Sequence, residues 1–229
     1  MGQNWFRLYS LVFTSFNIPD TRAGSLPMPT ISFGQGYSVT ALQATSVFAT
    51  IANDGIRVTP NVIAGTTDSS GNFSPSKPQS SQRVISQDTS RTIRGMLESV
   101  VSENGTAPAA AIPGYRVAGK TGTTTDNASA WFNGYTPQLA TSVALFRNDG
   151  TESLNGIGGL GAVTGGTYPA MIWNAYTKGA LKGLPVVSFP APTNIGGTTP
   201  TDMSTAVPTL DPSLAVRPSS ATKKPTPSA

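Results

Sequence analysis

The chain has 229 residues and a net charge of +4, and it contains neither histidine nor cysteine. Those absences exclude a Ser-His-Asp triad, histidine metal sites, thiol nucleophiles, zinc-thiolate sites and disulfides, so proton transfer falls to Lys, Asp, Glu, Tyr or water. Charges are sparse, with no basic stripe for nucleic acid, and the 24 glycines and 19 prolines predict that part of the chain does not pack.

No run of about 20 apolar residues occurs, so no segment reads as membrane-spanning. WFRLYSLVFTSF (5–16) carries Arg7, has no small-residue cleavage site after it, and reads as a buried helix or strand. SVTALQATSVFATIANDG (38–55) predicts a helix. Thr40 and Gln43 form a capping box, Ala44, Val47, Phe48, Ile51 and Ala52 recur at helical spacing, and Gly55 marks the exit. IRVTPNVIAG (56–65) reads as one strand, an edge strand because of Pro60, and 66–82 as a polar turn and linker.

A second helix is expected from Ser86 to Glu103, with Ile93, Met96, Leu97, Val100 and Val101 on its inner face. Residues 115–123 read as extended, 130–136 and 139–147 as strands around Pro137, and Thr167 as the start of a last helix with Pro169 in its first turn. No aromatic residue follows Phe189, and residues 190–229 read as a disordered Pro/Thr/Ser-rich tail. The expected class is α/β of the α+β type, a mostly antiparallel sheet packed by helices.

The motif that carries chemistry has two readings. GYRVAGKT (114–121) fits the phosphate-loop pattern G-x-x-x-x-G-K-[ST], and within it starts Lys120-Thr121-Gly122-Thr123. A phosphate loop needs a buried strand before it and a helix after it. Pro113 spoils the first, and the threonine-rich run after Lys120 makes a poor helix start. On an extended strand, Lys120 is instead a point charge suited to a carboxylate, and Thr121 and Thr123 add hydroxyl donors. Gly122 leaves room for a substrate backbone, and a backbone N–H near Thr123 is suited to an oxyanion. Taken alone, the tetrapeptide is equally compatible with a polar strand and a solvated lysine.

PGYRVAGKTGTTTDNASAWFNGYTPQLATSVALF (113–146) and GGTYPAMIWNAY (165–176) resemble the transpeptidase domain of penicillin-binding proteins, especially the bifunctional class A enzymes. FGQGYSVTALQATSVFATIANDGIRVTP (33–60) and SFNIPDTRAGSLP (15–27) are closer to class B. The resemblance runs from about residue 5 to 189, in family order. It implies a β-lactamase/transpeptidase-like fold incomplete at the N-terminus (1–189), with the tail (190–229) beyond it. It implies no cofactor or metal, an extracytoplasmic location at the membrane face or cell wall, and a full-length relative anchored in the membrane.

The family acylates a serine with a D-alanyl-D-alanine stem peptide or a β-lactam. By resemblance, Lys120, Thr121 and Thr123 bind the substrate carboxylate, Gly122 lies between them, and the Thr123 N–H belongs to the oxyanion hole. The serine should come from an S-x-x-K box at a helix start, followed by S-x-N, both upstream of Lys-Thr-Gly. Ser74–Lys77, Ser220–Lys223, Ser102–Asn104 and Ser15–Asn17 match those patterns but fall in linker, tail, helix end and the phrase after the true box. The nucleophile is expected to be absent. The sequence therefore reads as a partial D,D-transpeptidase domain. A non-catalytic cell-wall binding or scaffolding protein is the alternative, and a phosphate-loop protein comes third.

Overall fold

The computed structural model describes Ile31, Gly34 and residues 38–77, 79–148 and 151–190. The segments 5–16 and 15–27 and residues 191–229, which hold Ser15, Asn17, Ser220 and Lys223, lie outside the described residues.

Helix α1 (Ala41–Ala52) opens with the reciprocal cap its sequence announces: Gln43 N donates to Thr40 Oγ1 at 3.2 Å, and Thr40 N to Gln43 Oε1 at 2.8 Å. The chain leaves it through Asp54 and Gly55, at φ 50° and 86°. A Cβ at Gly55 would collide with the Ile85 carbonyl, so that exit needs glycine twice over.

The expected strand and linker over 56–82 become two antiparallel strand pairs. Strand β1 (Ile56–Val58) pairs with β4 (Ser81–Arg83), and β2 (Gly65–Thr67) pairs with β3 (Phe73–Pro75). The first strand stops short because Pro60 cannot donate to a ladder and restricts the residue before it. The polar stretch that reads as linker is a tight turn. Asp68 Oδ1 accepts from Ser70 N and Asn72 N, both at 2.9 Å, and Gly71 takes φ 84°.

Helix α2 (Gln87–Ser99) starts where Ser86 Oγ accepts from Thr89 N at 3.1 Å and ends four residues before the expected Glu103. Its inner face also differs. Ile93 and Leu97 do face the core, but Met96 is 66% exposed, and the buried residues on this helix are Ser90 and Arg94. They are tolerated because they are partnered. Ser90 Oγ donates to Ile51 O at 2.7 Å, and Arg94 reaches Asp54 Oδ1 at 3.3 Å and Pro190 O at 2.8 Å.

Three antiparallel strands form the central sheet in the order β5-β6-β7: β5 (Ala118–Thr123), β6 (Ser129–Tyr135) and β7 (Ala140–Phe146). Side-chain alternation divides it into two faces. Ala118, Tyr135 and Ala140 share one face with Phe48 and Ile51 of α1, Ile93 and Leu97 of α2, and Phe189. Phe132 and Val143 share the other with Ala170 and Trp173 of α3 (Tyr168–Leu181). The Trp173 indole sits edge-on to Phe132 at 5.4 Å and donates to the carbonyls of Gly134 and Thr141, both at 3.2 Å. Burying Trp173, Phe132 and Tyr135 contributes roughly 1.5–3 kcal/mol apiece. Phe189 is buried against Tyr135, with ring centroids 5.6 Å apart.

Candidate active site

Strand β5 carries Lys120, Thr121, Gly122 and Thr123, and as the end strand of the order it has no strand partner on its outer side among the described residues. Lys120 is exposed, and its Nζ folds back to donate to Thr121 O at 2.8 Å. Pleating places Lys120 and Gly122 on the α1 face of the sheet and both threonines on the α3 face. Thr121 Oγ1 shares a hydrogen bond of 2.9 Å with Thr106 Oγ1, and Thr123 Oγ1 accepts from Gly165 N at 3.1 Å. The sequence puts both hydroxyls beside the ammonium. In the folded strand they point away from it and are tied to the loops behind.

Those loops hold the box from the α3 side. A Cβ at Gly165 would come within 2.9 Å of Gly122 N and O and closer still to Trp131 O, and one at Gly166 would strike Thr106 O. Only glycine lets the 163–166 turn lie this close to the β5–β6 backbone. Within the sheet, Gly119 and Gly134 are needed for packing, since their Cβ atoms would reach 2.6 Å from the Phe132 ring and 2.7 Å from the same ring, respectively. Gly122 is different: a Cβ there would make ordinary contact with Trp131 Cβ at 3.4 Å, so packing leaves that surface open.

The other motif matches fall outside this strand or do not fit it. Lys120 and Thr121 lie mid-strand, and the chain beyond Thr123 makes a short 3-10 turn (Thr125–Asn127) into β6, so no helix N-terminus faces them. The phosphate-loop reading fails on that geometry. Ser74 is an exposed residue of β3 with Lys77 exposed after it, and Ser102 lies in an exposed turn, its Oγ donating to Ser99 O at 2.7 Å. Neither serine starts a helix. Among the described residues no cluster of acidic side chains suits a metal ion, and no helix is long and apolar enough to cross a membrane.

Charge on the α1 side is concentrated where α1, α2 and the chain after α3 meet. Asp54 Oδ2 pairs with Arg91 at 3.0 Å and Oδ1 with Arg94 at 3.3 Å. Partial burial would raise the Asp54 carboxyl, but hydrogen bonds from Arg91 and Gln87 and the two guanidinium charges hold it below the usual carboxylate range. Arg94, 2% exposed, also lies 5.1 Å over the Phe189 ring. Beside it, burial pushes the Tyr135 hydroxyl well up; Arg94 opposes this and Glu98 reinforces it. Glu98 in turn pairs with Arg116, just before β5. Sequence reading missed Arg94, because an arginine among apolar residues carries no mark of its distant partners.

Comparison with known proteins bears on what this strand belongs to. A profile of the penicillin-binding protein transpeptidase domain matches residues 12–153. The chain belongs to the penicillin-binding protein transpeptidase family. Relatives of both classes are similar to it. Penicillin-binding protein PbpB of Mycolicibacterium smegmatis is 38% identical over 125 residues, covering 48% of this chain and 19% of that protein. Penicillin-binding protein 1A of the same organism is 32% identical over 182 residues, covering 76% and 22%.

Among solved transpeptidase structures, PonA1 of Mycobacterium tuberculosis in complex with penicillin V is 30% identical with a TM-score of 0.64, over 77% of this chain and 47% of that one. Penicillin-binding protein 3 of M. tuberculosis with aztreonam is 27% identical with a TM-score of 0.61, over 77% and 43%. The chain thus spans about a fifth of those two relatives and under half of those two solved structures. The transpeptidase fold, with its antiparallel sheet and covering helices, is the one the sequence resemblance implies.

Proposed function

We propose that this transpeptidase domain binds the C-terminal carboxylate of a D-alanyl-D-alanine stem peptide, or of a β-lactam that mimics it, along the outer edge of β5. Residues 1–189 form the C-terminal part of such a domain, with 190–229 a tail beyond it, and the site faces the extracytoplasmic side. One observation carries the reading: Lys120 is exposed on an end strand beside a glycine that packing does not require. An extended peptide laid antiparallel to that edge gains main-chain hydrogen bonds. The Lys120 ammonium then contributes a charge-assisted bond to the carboxylate, and the Thr123 N–H is the oxyanion donor.

The chain is expected to bind without acylating, because neither Ser74 nor Ser102 stands at a helix start. In a complete enzyme the same strand would serve the acyl transfer that cross-links peptidoglycan. The test is a pair of measurements on the full chain. Titration with D-alanyl-D-alanine, followed by amide NMR, should shift residues 120–123 and be abolished by Lys120→Ala. A fluorescent penicillin should leave no adduct that survives denaturation. A dipeptide that shifts other residues but not these sinks the binding reading, and an adduct lost on Ser74→Ala sinks the non-acylating one.

A further inference from the structure

The residues opposite Lys120 across the sheet form a polar row. Lys120 is in register with Asn133 on β6, and Asn133 with Ser142 on β7, so the three side chains stand in line on the α1 face. Directly opposed residues of an antiparallel pair have Cβ atoms about 4.5–5.5 Å apart, within reach of one another's polar atoms. Asn133 Oδ1 and Ser142 Oγ are both shielded from solvent, and neither finds a hydrogen-bond partner among the described residues. Buried acceptors left unpaired are rare because the desolvation they suffer is uncompensated. Two in adjacent positions, in line with an ammonium whose hydrogen bond among the described residues is to the Thr121 carbonyl, point to a shared arrangement.

We propose that Asn133 is the positioning residue of Lys120. The carboxamide oxygen has two lone pairs. One accepts from the Ser142 hydroxyl, which gives both orphaned atoms a partner at once, and the other accepts from the Lys120 ammonium when Lys120 extends across the sheet. Of the three ammonium N–H groups, one then goes to Asn133 Oδ1 in place of Thr121 O, and the others are left for the ligand carboxylate. A lysine held by Asn133 presents its charge in one direction, where a solvated one would have to surrender rotamer freedom on binding. This inference rests on the reading of Lys120 as the carboxylate anchor.

The test uses the full chain labelled with 15N and 13C. Without any ligand, the Lys120 Nζ should show a scalar coupling through the hydrogen bond to the Asn133 side-chain carbonyl carbon. Asn133→Val should abolish that signal and weaken D-alanyl-D-alanine binding about tenfold, whereas Asn133→Asp, which keeps an acceptor, should retain both. Valine suits a strand, so the variant should fold. If Asn133 Oδ1 is merely an unpaired acceptor, Asn133→Val removes a liability, raises the melting temperature and leaves dipeptide affinity within twofold. That result overturns the proposal, as does a parent chain with no coupling. A parent chain that shows the coupling but binds no dipeptide refutes the function proposed above and leaves the positioning of Lys120 standing.

Discussion

Replacing Gly165 with alanine is the sharpest perturbation of the strand that carries Lys120. The added Cβ would lie 2.9 Å from both Gly122 N and Gly122 O and closer still to Trp131 O, and all of these are backbone atoms fixed by the β5–β6 ladder. None can swing aside as a side chain end could, so the 163–166 turn must retreat. Overpacking of this kind costs about 1–3 kcal/mol. Retreat also breaks the 3.1 Å bond from Gly165 N to Thr123 Oγ1, which adds about 1 kcal/mol. The total is roughly 2–4 kcal/mol, or a melting temperature lower by about 5–15 °C for a chain of this size.

Gly179 on α3 supplies the control, because a Cβ there meets nothing within 4 Å. Gly179→Ala should raise stability by about 0.5–1 kcal/mol through helix propensity. Thermal denaturation followed by circular dichroism compares the two, with amide NMR of Gly122 and Thr123 reporting whether β5 itself has moved. A Gly165→Ala chain melting within a degree of the parent would refute the close approach and, with it, the account of how the box is held.

Asp54→Asn keeps the shape and the tolerance for positive φ but leaves buried Arg94 without its carboxylate, and it should cost about 2–3 kcal/mol, discounted for the partial exposure of Asp54. Because the folded carboxyl lies below its usual 3.8, this contribution is present above that value and lost as pH falls through the folded one, so parent and variant stabilities should converge in acid. Tyr135 has the opposite sign. Its raised hydroxyl favours the folded state below the usual 10.0 and loses that contribution as pH rises through the folded value, so one tyrosine should ionise only on unfolding. Absorbance at alkaline pH reads this, and Tyr135→Phe should remove the step at little cost in stability, since the hydroxyl has no partner among the described residues. Lys120→Arg should recover only part of the dipeptide affinity lost in Lys120→Ala, because a planar fork does not replace a compact ammonium; equal affinity in the two variants would contradict a directional anchor.

Much of the fold was legible because its causes are local. Thr40 caps α1 through Gln43 three residues on, Ser86 caps α2 through Thr89, and Gly55 ends α1 by its own backbone freedom. The strands at 129–135 and 140–146 follow from alternation and a proline turn, and the Lys-Thr-Gly-Thr box is contiguous, so its place on a strand and its family could be read directly. What eluded sequence reading depends on partners far along the chain. Met96 looked like core and Arg94 was passed over because nothing nearby shows that Arg94 meets Asp54, 40 residues before it, and Pro190, 96 after. The 66–82 linker became a hairpin because Asp68 could close a turn and bring two weak strands into register. Sequence also grouped Thr121 and Thr123 with Lys120 by adjacency. Pleating put them on the opposite face, where Thr106 and Gly165 hold them, and left Asn133 across from the lysine on its own face, because a strand sends successive side chains to opposite sides and only the assembled sheet decides what waits there.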